Sequence, residues 1–174
     1  MKQGGSWLMS YFMFGTFDLM HNDSFLQHIK AYALERNIYI WFDEEITFYR
    51  EIHTMLNEQN MSGNIKFAIT SKNQPRNSSD VLLPFDKYPS NKLFADESMT
   101  FYKHSCRKNI NILFECLDEF FAASNLKWID ICVVEGYDDA FRKLELTTGE
   151  MKCDLLNQIE NTGTLDSSIY RIHR

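Results

Sequence analysis

Hydrophobic positions along the chain fall into two periods. Tyr11-Phe-Met-Phe-Gly-Thr-Phe17 is apolar on both faces and rich in strand formers, the signature of a buried strand. His21-Asn-Asp-Ser24 supplies N-cap chemistry, and Phe25, Ile29, Tyr32 and Arg36 follow at helical spacing until Asn37 stops the helix. Ile38–Phe42 is a second short buried strand. Asp43 is placed to cap a second helix, with Glu44 and Glu45 in its first turn and an end near Asn60. Ile65–Thr70 is a third strand. Strands alternating with helices suggest crossover units and a partly parallel sheet.

Residues 71–97 differ in character. All three prolines (Pro75, Pro84, Pro89) lie here among Asn, Ser and Lys, and Val81-Leu-Leu83 is the one strand-like run. The stretch reads as a long connection within one domain. The longest helix is expected over Ser98–Ser124, where Tyr102, Cys106, Ile110, Leu113, Leu117 and Phe120 form an apolar stripe. Lys127–Glu135 is a strand, and Gly136-Tyr-Asp-Asp139 is turn chemistry. Leu144-x-Leu146 and Met151-x-Cys153-x-Leu155 alternate on either side of Thr148-Gly149, which predicts a hairpin, and Ile169–Ile172 is a last strand. The fold class expected is α/β, with α+β as the near variant. It is a single domain over residues 1–174, a mixed sheet with flanking helices and C-terminal antiparallel strands.

Composition narrows the class. With 174 residues, 44% hydrophobic and 14% aromatic, the chain can build a core and is not intrinsically disordered. The four cysteines (Cys106, Cys116, Cys132, Cys153) are widely spaced, with no C-x-x-C. The apolar run Trp7–Phe17 lacks a cleavage site and is too short to span a membrane. A cytoplasmic protein with reduced thiols is expected, with no membrane partner.

Charge is the informative feature. The net charge is −6, and Glu115–Asp139 alone holds seven acids against Lys127. Within the long helix Lys103, Arg107 and Lys108 come early and Glu115, Asp118 and Glu119 late, opposite to what the helix dipole favours. Two readings compete: bases elsewhere in the fold cover these acids, or they form a face for a cationic partner. The candidate partner-binding residues are Glu115, Asp118, Glu119, Glu135, Tyr137, Asp138 and Asp139. An acidic field disfavours nucleic acid as that partner.

Candidate catalytic patterns are sparse. The five histidines are scattered, His104-x-Cys106 has the wrong helical spacing for a shared ion, and no glycine-rich phosphate cradle occurs. No cofactor or metal is expected. The enzymatic alternative is a metal-dependent nuclease. In it Asp138 or Asp139 precedes Glu150-Met-Lys152, carboxylates holding Mg²⁺ and a lysine supporting the attacking water. A small regulatory adaptor is the other alternative.

The segment Ile131-Cys-Val-Val-Glu-Gly-Tyr-Asp-Asp-Ala-Phe141, with the aromatic- and Asn-rich acidic character of the chain, resembles bacterial toxin-immunity proteins of contact-dependent growth inhibition systems. That resemblance implies a non-catalytic protein that binds and neutralises one cognate toxin with a basic surface, often a nuclease. It transfers no residue by motif. The acids named above rest on charge alone.

Overall fold

The computed structural model describes residues 11–20, 22–46, 49–61, 63–70, 96–135 and 140–174. Six strands and four helices follow the order β1 (Tyr11–Phe17), α1 (Asp23–Leu34), β2 (Tyr39–Phe42), α2 (Tyr49–Glu58), β3 (Ile65–Thr70), α3 (Asp96–Ala122), β4 (Trp128–Glu135), β5 (Arg142–Thr147), α4 (Thr148–Thr162) and β6 (Ser168–His173). They form a single α/β domain, a six-stranded mixed sheet in the order β2-β3-β1-β4-β6-β5 with the helices packed against it.

The first three strands are antiparallel to their neighbours. β3 pairs with both β1 and β2, Phe14 opposite Ala68 and Trp41 also opposite Ala68. β1 and β2 therefore run the same way with β3 inserted between them. The parallel contact expected in this half lies instead at β5 and β6, where Leu144 is opposite Tyr170. β4 is antiparallel to both β1 and β6.

The hairpin expected around Thr148-Gly149 is a helix. Thr147 is its N-cap: the Thr147 hydroxyl accepts from the Glu150 N–H, and the Glu150 carboxylate accepts from the Thr147 N–H at 2.8 Å. This capping box starts α4, and Met151, Leu155 and Ile159 are buried at four-residue steps, a helical stripe that alternation on three residues imitated. Gly163 ends the helix at φ 72. The second helix also starts later than expected. Asp43–Glu45 makes only a 3₁₀ turn, and Ile46 returns to extended backbone before α2.

One face of the sheet carries α1, α3 and α4 over the main core. Its centre is a ring cluster in which Phe120 of α3 stands 5.6 Å from Phe17 and 5.4 Å from Phe67, with Phe25 and Phe42 at its edge. Gly15 has to be glycine there, because a Cβ would lie 2.1 Å from the Asp130 carbonyl oxygen. The opposite face holds a smaller core, with Leu56 and Met61 against Phe14, Ala68, Cys132, Val134 and Ile169. Next to that core the sheet carries an ion pair: Arg171 clamps Asp130 through two hydrogen bonds of 2.8 Å and lies over the Trp128 ring. The expected connection 71–97 falls outside the described residues apart from 96–97, which open α3. Among the described residues no helix is long and apolar enough to cross a membrane.

Candidate functional site

The late acids of α3 face α1. His28 contacts Glu119 at 2.5 Å, and Arg36 donates to Glu115 at 3.1 Å. Because the α1 numbers rise as the α3 numbers fall, the two helices are antiparallel. At the other end of α3, Lys103 donates to the Glu160 carbonyl at 2.6 Å and Arg107 pairs with the Glu160 carboxylate, both in the last turn of α4. The charge order that opposes α3's own dipole thus suits its neighbours. Its acids lie beside the bases of α1, and its bases complete the carbonyl end of α4. A reading of α3 in isolation misses this.

These contacts neutralise part of the expected acidic surface and leave the rest. Glu115 is exposed and Glu119 partly so. Asp118 is exposed on the same outer ridge as Glu115 and has no partner among the described residues. Arg36 stacks 3.6 Å over the Tyr32 ring and donates to the Tyr32 carbonyl, which fixes its guanidinium between α1 and α3. Glu135 ends β4, with its backbone opposite Tyr11, some seven residues or roughly 23 Å along the strand from Trp128, where the chain enters from α3. Tyr137, Asp138 and Asp139 lie outside the described residues.

The fold adds acids that the sequence reading did not select. Beyond α1, on the side away from α3, the 3₁₀ turn Asp43–Glu45 and Asp23 line a depression of about 330 Å³ with Gln27 and Lys30. Lys30 binds Glu45 at 2.5 Å, and the other Glu45 oxygen accepts the Phe42 N–H at 3.0 Å. Burial opposes the Glu45 charge, but these two hydrogen bonds outweigh it and hold the carboxyl below its usual value. Asp43 sits at φ 44 and accepts the Lys66 N–H, so its carboxylate supports the turn. Glu35, at the end of α1, lies beside Arg36 and is 76% exposed. Around α1 the described residues Asp23, Glu35, Asp43, Glu44, Glu45, Glu115, Asp118 and Glu119 thus face Lys30 and Arg36 as permanent cations. Acids from three chain segments flank α1 on its two sides. The signal available beforehand was the outward stripe of α1, Asp23, Gln27, Lys30 and Leu34, in which an exposed leucine interrupts a polar surface.

Of the residues of the nuclease alternative, Glu150 has a structural role. Glu150 closes the capping box, and its hydrogen bonds to the Thr147 N–H and hydroxyl lower its pKa. Lys152 lies two residues further along α4, and Asp139 is outside the described residues. Burial pushes the Cys106 and Cys132 thiols up to about 12 and Cys116 up to about 11, so these three remain protonated and poorly nucleophilic. Among the described residues no group of three metal-ligating side chains converges. Comparison with protein-family models, with curated proteins and with solved structures finds no match to the chain.

Proposed function

We propose that the protein is a non-catalytic immunity protein that binds a cognate basic toxin, a nuclease by preference, and blocks it with its acidic face. The observation that carries this reading is the crowding of acids from three chain segments on both sides of α1. Their ion pairs with α1 offset only part of the self-repulsion, and a cationic partner offsets the rest through complementary fields and speeds encounter. A nuclease that grips phosphates with a basic surface presents that complement. Asp118, unpartnered among the described residues, and the exposed Glu35, 3.9 Å from Arg36, lie at the rim, and Glu115, Glu119 and Glu45 supply carboxylates already positioned by α1.

Capture and inhibition test the proposal together. Immobilised wild-type protein is expected to retain one basic protein from the source cells at low salt and to abolish that protein's cleavage of RNA or DNA. A variant carrying Glu35→Gln, Glu115→Gln and Asp118→Asn is expected to lose at least tenfold in both. Retention of no basic protein, or inhibition untouched by the variant, overturns the reading.

A further inference from the structure

The acids beside α1 border a sheet edge that is unpaired among the described residues. Among the described residues β2 is terminal in the sheet and pairs on one side with β3 alone. Antiparallel alternation turns every second residue's backbone away from the partner strand. The Phe42 N–H is held from outside by Glu45, and the Ile38 N–H reaches back to the Ala33 carbonyl at 3.0 Å. The residue between them in that alternation, Ile40, therefore points both its N–H and its carbonyl outward. A groove of about 440 Å³ runs along this edge, with Ala31 and Leu34 of α1 on one wall and Tyr39 and Trp41 on the other. Leu34 is 53% exposed, and the Tyr39 and Trp41 rings are stacked at 6.5 Å. The far edge of the sheet is different in kind. β5 carries Arg142, Lys143 and Glu145, the charges that keep a strand edge from pairing.

We infer that β2 is the docking edge for an extended, lysine- or arginine-rich strand of the protein partner, which adds to the sheet beside Ile40. This deepens the proposed function and rests on it. The backbone of the incoming strand meets Ile40, and its alternate side chains meet Leu34 or the Tyr39–Trp41 pair. Its cationic residues fall near Asp23, Glu44 and Glu45, which share Gln27 and Lys30 with the groove. The charge of that rim selects a basic strand over an acidic one.

The test uses the full chain, ¹⁵N-labelled, and a capped eight-residue peptide alternating lysine with valine, with its glutamate–valine counterpart as control. The lysine peptide is expected to shift the Ile40 amide, to slow its hydrogen exchange at least tenfold, and to bind at least tenfold tighter than the control. Leu34→Arg, at an exposed position, is expected to weaken it tenfold. Binding that shifts Glu115 and Asp118 but leaves Ile40 unchanged overturns the strand-addition proposal while the acidic-face reading stands. No binding, equal binding of both peptides, or protection of Ile40 that grows with protein concentration alone also overturns it, the last by showing a second copy on the edge. Failure of the proposed function shows separately, as loss of capture and inhibition.

Discussion

Among the described residues Asp130 is a buried acid of β4, 2% exposed. Its charge is tolerated because Arg171 supplies both hydrogen bonds and Trp128 supports the guanidinium. Arg171→Ala is expected to cost about 2–3 kcal/mol, somewhat below the range for fully buried pairs because Arg171 is itself partly open to solvent. Urea unfolding measures this, and Arg171→Ala with Asp130→Asn should recover part of the loss. A second network links β5, α4 and β6, in which Asp154 accepts from Arg142, Tyr170 and Gln158. Burial disfavours the Asp154 charge, yet these donors outweigh it and its pKa lies below the usual value. A depressed carboxyl stabilises the fold above its unfolded pKa, near 4, and that contribution is lost as pH falls through the lower folded value. Unfolding midpoints between about pH 5 and pH 2 are therefore expected to fall less steeply for Asp154→Asn than for wild type.

At the scale of elements, α4 shows what one motif decides. Thr147 and Glu150 form a Thr-x-x-Glu box that was legible in the sequence. Read instead as strand alternation, Met151-x-Cys153-x-Leu155 gave a hairpin, although the same Met151 and Leu155 are four residues apart and extend to Ile159. Glu150→Ala is expected to lower the thermal or urea unfolding midpoint and to leave partner capture unchanged. A nuclease site built on Glu150 would instead require cleavage activity that disappears with the substitution. Apart from the start of α2, the other elements were well marked, because Asn22, Asn37 and the apolar runs of β1, β3 and β4 are local signals. Strand direction was not local. Nothing in Ile65–Thr70 says that it slots between β1 and β2 and reverses both pairings.

For the whole molecule, the site was legible in part. Glu115, Asp118 and Glu119 stand out by charge density. What they do depends on His28 and Arg36, which lie on another helix and pair with Glu119 and Glu115 across separations of 91 and 79 residues. Antiparallel packing explains the inverted charges of α3, while the fold sets Asp23 and Glu45 on the other side of α1. Sequence spacing encodes neither effect. The central claim is that this surface binds a basic protein. It is tested most directly by the dissociation constant of the captured partner, measured at about 50 and 300 mM NaCl for wild type and for the Glu35→Gln, Glu115→Gln, Asp118→Asn variant. The account predicts that wild type weakens at least tenfold across that range, and that the variant starts weaker and depends less on salt. Equal constants and equal salt dependence for the two proteins would contradict it.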